Sequence, residues 1–98
     1  MNKELLAEVL KDNEITHWDY EIKIENNLVY YCGGHKSINI YELAHKCKEW
    51  AYKNGYELMS SIAYCCIDHK SFAESVFFTE DTEPETIFKA CQWILDNK

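Results

Sequence analysis

The chain has no arginine, a single proline and only three glycines. Arginine grips phosphate and guanine edges with a rigid fork that lysine cannot reproduce. Its absence, together with a net charge of −7, argues against direct nucleic-acid binding as the main role. No stretch reaches the roughly 18 consecutive apolar residues that a membrane-spanning helix needs. The opening MNKELLAEVLKDNE is too charged for a signal peptide, which makes the cytoplasm the expected compartment.

The five cysteines are odd in number, and Cys65 and Cys66 are adjacent. That pattern does not suit a disulfide framework. In a reducing compartment they are expected as free thiols that pack as small hydrophobes. With 98 residues, 47% of them hydrophobic and 14% aromatic, the chain is expected to form one globular domain over residues 1–98 rather than a disordered segment.

The ten cations are all lysine, and the acids are unevenly spread. Residues 56–98 hold three Lys against eight acids, so the C-terminal half is the acidic one.

Periodicity gives the expected elements. Leu5, Leu6, Val9 and Leu10 recur at helical spacing, with Asn2 as cap and Asn13 at the end. Residues 17–25, HWDYEIKIE, alternate as a half-buried antiparallel strand. Asn26-Asn27 suits a two-residue turn, which pairs Ile24 with Val29 and Ile22 with Tyr31. Cys32 then falls on the opposite face, near Glu21, and Gly33-Gly34 ends the strand. Asn39 to Glu42 has capping-box spacing, with Ile38 and Leu43 as the hydrophobic staple. Ile40, Leu43, Ala44, Cys47, Trp50 and Ala51 make one apolar face, closed by Asn54-Gly55.

Two further strands are expected from Tyr56 to Ile67 and from Ser71 to Glu80. Leu58, Ile62, Tyr64 and Cys66 form one core set, and Phe72, Val76 and Phe78 the other. A turn with an odd number of residues around Asp68-His69-Lys70 would align them. Thr82-Glu-Pro-Glu85 starts a last helix whose stripe is Ile87, Phe88, Cys91, Ile94 and Leu95, with Trp93 lying off it. The expected fold is α+β, ordered α-ββ-α-ββ-α. It would be a four-stranded antiparallel sheet with helices mainly on one face, and a possible degenerate ββα repeat.

Several residue groups could carry chemistry. Cys32-Gly-Gly-His35 and Cys66-Ile-Asp-His69 share Cys-x-x-His spacing, so Cys32, His35, Cys66 and His69 could form a Cys2His2 zinc site. Topology argues against it, because the two pairs leave different strands. Cys32 with His35, His45 or His69 could be a nucleophile and its base, but no catalytic signature surrounds it. The acids from Glu80 to Glu85 suit a helix N-terminus without any bound cation. Gly33-Gly34 lacks the rest of a phosphate-loop pattern.

The last group is different in kind. Tyr41, His45, Lys48 and Tyr52 follow 4-3-4 spacing and make one ridge on the outer side of the second helix. Tyrosine on a face that should be solvated points to a protein partner, and Trp93 invites the same reading, as an anchor for a second protomer.

The expected function is therefore a small acidic intracellular protein that binds another, basic protein, with no metal, no cofactor and no catalysis of its own. The alternatives are a zinc-stabilised module and a Cys/His enzyme. Lysine-only usage also fits an AT-rich genome. The α-ββ-α-ββ-α order resembles phage-encoded sandwich domains of unknown role. That architectural resemblance points to a phage or mobile-element inhibitor, or an anti-defence protein acting on a nucleic-acid-handling partner.

Overall fold

In the computed structural model, which describes residues 1–17, 19, 21–69 and 75–97, the chain opens with helix α1, Lys3–Leu10. Asn2 caps it, its Oδ1 accepting from the Leu5 N–H at 2.9 Å, which satisfies one of the orphan donors of the first turn. A 3-10 turn follows at Asn13–His17. The strand expected from residue 17 is therefore shorter, and begins only at Lys23. Trp18 and Tyr20, two of its expected core residues, lie outside the described residues.

The first sheet is an antiparallel meander of β1 (Lys23–Glu25), β2 (Leu28–Tyr31) and β3 (Lys36–Asn39). Asn26 and Asn27 both take positive φ, 51° and 63°, the geometry of a tight hairpin turn matched to strand twist. Ile24 pairs with Val29 as expected. Val29, in the central strand, is buried, whereas Ile24 on the outer strand is largely exposed. The next turn spans Cys32 to His35. Cys32, Gly33 and Gly34 all sit in the left-handed region, with φ of 53°, 66° and 86°, so the glycines serve a reversal that side chains resist. They redirect the chain into β3 rather than ending the sheet. Cys32 is buried in the core, not displayed beside Glu21.

Helix α2, Ile40–Lys53, starts where the sequence places it. The Asn39 side chain accepts from the backbone N–H groups of Tyr41 and Glu42. Ile40, Leu43, Ala44, Cys47, Trp50 and Ala51 are all buried. Each large apolar side chain so removed from water contributes on the order of 1.5–3 kcal/mol. The C-terminus closes as a Schellman motif. Gly55 takes φ of 89°, its N–H donates to the Tyr52 carbonyl at 3.0 Å, and the Tyr56 N–H donates to the Ala51 carbonyl at 2.9 Å.

The second sheet is another antiparallel meander, of β4 (Glu57–Ser61), β5 (Tyr64–Asp68) and β6 (Val76–Thr79). The single strand expected over 56–67 is thus a hairpin turning at Ile62-Ala63. Neither of these residues takes positive φ, so no glycine or asparagine marks the turn. A two-residue turn reverses the parity of the faces. Leu58 lies opposite Ile67, and Met59 opposite Cys66. The inward set is Leu58, Cys65, Ile67, Val76 and Phe78. Cys66 and Tyr64, expected on the Leu58 face, lie on the opposite one, where Cys66 is nonetheless buried as expected while Tyr64 and Ile62 are exposed. Cys65 pairs with Phe78, so the connection has the parity opposite to the expected one. Phe72 and Lys70 lie outside the described residues.

Helix α3, Glu83–Asp96, is capped by Thr82, whose side chain accepts from the Glu85 N–H. Glu80, on its N-terminal side, pairs with Lys89 at 3.0 Å. The expected stripe of Ile87, Phe88, Cys91 and Ile94 is buried, and Leu95 is partly so. α3 packs along α2 and against all three strands of the second sheet. The order is α-βββ-α-βββ-α, an α+β fold with two three-stranded sheets in place of one four-stranded sheet. Each of α2 and α3 closes a three-strand meander, so the unit that recurs is βββα rather than ββα. Among the described residues, no helix is long and apolar enough to cross a membrane.

Candidate partner-binding surface

The ridge on α2 is solvent-facing. Tyr41 is 59% exposed and Tyr52 74% exposed, because both lie away from the buried stripe that turns toward α3 and the second sheet. His45 lies between them, its Nε2 at 3.2 Å from the Glu49 carboxylate. Lys48 is half-buried.

The Schellman cap decides what lies at the C-terminal end of this ridge. By reversing the chain at Gly55, it brings Tyr56 and Glu57 back beside Tyr52. A cleft of about 460 Å³ opens there, lined by Tyr52, Gly55, Tyr56, Glu57, Asp68 and His69. The Tyr56 ring lies 4.7 Å from the His69 ring, tilted by 33°. Glu57 and Asp68 sit directly opposite each other in the β4–β5 ladder. Like charges in that position repel and are destabilising on their own. Among the described residues, no lysine lines the cleft. Two carboxylates in one cleft attract a cation by charge. A shallower groove of about 370 Å³, lined by Lys48, Glu49, Tyr52, Lys53, Glu57 and Leu58, runs along β4. Tyr52 borders both.

The other candidates are dispersed. Trp93 is not an exposed anchor. It is half-buried, packed on the core, with its ring 6.4 Å from that of Phe78 on β6. A tertiary contact with a strand covers a residue that the helix periodicity leaves outside. Cys32 and His35 occupy the turn of the first sheet. Cys66 is in the central strand of the second sheet, and His69 stands against Tyr56. Among the described residues, no group of three or more His, Cys, Asp or Glu is placed to hold a metal ion. Cys32 as a nucleophile is likewise set back in the core, and Gly33-Gly34 leads into β3 rather than into a helix.

Tyr56, Glu57 and Asp68 were not singled out by sequence reasoning. Tyr56 and Glu57 follow from the Asn54-Gly55 cap once its geometry is drawn. Asp68 does not, because its pairing with Glu57 depends on the unmarked turn at Ile62-Ala63. No protein-family model, curated protein or solved structure matches this chain.

Proposed function

We propose that this chain acts by binding another protein of basic character, through the Tyr41–Tyr52 ridge and the cleft at its end. The observation that carries this reading is the position of Tyr52, a largely exposed aromatic that borders a cleft lined by two carboxylates, Glu57 and Asp68. Exposed tyrosines supply large contact areas at low entropic cost. An acidic cleft on a chain of net charge −7 steers a basic partner toward it and disfavours acidic ones. Neither catalysis, a metal nor direct contact with nucleic acid enters this reading. Its finer form is an inhibitor, encoded by a phage or mobile element, that occupies a basic nucleic-acid-handling protein. The lysine-only composition and the acidic C-terminal half support that form.

The test is a capture experiment in the native host with the wild-type chain and with the double variant Tyr41→Ala/Tyr52→Ala. Loss of the captured protein, with cooperative unfolding preserved, supports the reading. Undiminished capture by a folded double variant overturns it.

A further inference from the structure

The outer face of the second sheet continues from the cleft into an apolar row. Met59, Cys66 and Phe77 form one cross-strand row on it. Tyr64 stands in the next row, its ring 5.7 Å from that of Phe77. Met59 and Phe77 are 50% and 59% exposed, whereas Cys66 between them is 3% exposed. Cys66 is buried but outside the main core cluster. The neighbours of Tyr64 strip water from its hydroxyl and raise its pKa above the ordinary tyrosine value, with Cys66 adding a smaller push. Glu57 and Asp68 belong to this same outer face, one row beyond Met59 and Cys66. The apolar row therefore adjoins an acid pair that forms no ion pair among the described residues.

Two properties decide what covers this face. Three strands spaced by about 4.8 Å, of 5, 5 and 4 residues at about 3.4 Å each, present on the order of 200 Å². A stable self-association needs about 800 Å² from each partner. The face is too small to hold a second copy by itself, and that copy would add its own charge of −7 at the acid pair. A segment of a basic protein meets both conditions.

We infer that this face docks a segment of the basic partner, with an apolar side chain seated over Cys66 between Met59 and Phe77 and a cationic side chain directed at Glu57 and Asp68. The inference rests on the proposed binding of a basic protein and extends its contact from the cleft, through the shared Glu57 and Asp68, onto the sheet face.

The experiment uses the full chain, labelled with nitrogen-15, and two short synthetic peptides. Both peptides have a Leu-Phe centre, flanked by lysines in one and by glutamates in the other. The lysine peptide should shift the amide signals of Met59, Cys66, Asp68 and Phe77, and the glutamate peptide should not. Phe77→Glu should weaken lysine-peptide binding by at least about tenfold without lowering the thermal midpoint, since that ring is mostly solvated. If Phe77→Glu does not fold, Glu57→Gln/Asp68→Asn should weaken binding and flatten its salt dependence. Equal response to both peptides, or shifts confined to the α2 ridge, would overturn the inference. So would a free dimer, seen by sedimentation, that Phe77→Glu dissociates. Lysine-peptide binding that survives when the tyrosine double variant still captures the partner would leave this inference standing while removing the ridge reading.

Discussion

The thiol of Cys91 on α3 donates to the backbone carbonyl of Cys47 on α2 across 3.4 Å, and both side chains are fully shielded from water. This contact lies in the α2–α3 interface. A small polarizable side chain on each helix lets the two backbones approach closely. The hydrogen bond with Cys47 and then burial push the Cys91 thiol far above its ordinary range. Burial pushes Cys65 up to about 11, against a smaller downward pull from Lys48. All five cysteines are free and buried.

The thiolate is the reactive form, so the native protein should react with iodoacetamide or a chromogenic disulfide far more slowly than a free thiol at neutral pH. All five should titrate once the chain is unfolded. Fast modification of Cys65 or Cys91 in the native protein would show that the helix interface opens.

Gly55 carries a second prediction. Its φ of 89° is costly for a residue with a Cβ, and an added Cβ would meet His69 only at ordinary contact distance, 3.8 Å. The cost of Gly55→Ala is therefore conformational, about 1 kcal/mol, rather than steric. Denaturant unfolding should show a lowered midpoint at unchanged slope. Because Gly55 lines the cleft, peptide or partner binding should weaken along with it.

The third concerns pH. Lys36 on β3 lies 2.7 Å from the Asp12 carboxylate, joining the first sheet to the segment after α1. The Lys36 hydrogen bond holds the Asp12 carboxyl below its ordinary value of 3.8. In turn, the Asp12 hydrogen bond raises Lys36 above 10.5. The Asp12 contribution is present above its unfolded pKa and lost as pH falls through its folded one. The Lys36 contribution is present below its unfolded pKa and lost as pH rises through its folded one. Both groups are solvated, so the effect is small and weakened by salt. Carboxyl titration by NMR should place Asp12 below the ordinary value in the wild type and restore it in Lys36→Gln.

Much of this architecture was legible in the sequence, and what was not has a common cause. α2 was readable to the residue because Asn39, its six apolar positions and Gly55 all act locally. So was the Asn26-Asn27 hairpin, whose residues tolerate positive φ. β3 was hidden because KSIN has a single apolar residue, and four residues give no alternation. The Ile62-Ala63 turn was hidden because it needs no special backbone conformation and interrupts an apolar run. That one turn reversed the faces of β5, placing Cys66 on the outer face and Cys65 on the inner one, while Val76 and Phe78 on β6 keep the expected inner face. The ridge tyrosines could be placed from helical spacing alone, whereas the cleft could not, because it joins a helix cap to a strand pairing fixed only by tertiary structure.

The central claim is that the end of α2 meets a partner. The most direct measurement places photoreactive benzoylphenylalanine at position 52, at position 41 and, as a control, at exposed position 24, then irradiates cells that produce the chain. The account predicts a discrete protein adduct at 52 and 41 that is absent at 24. Adducts at all three positions alike, or at 24 alone, would contradict it.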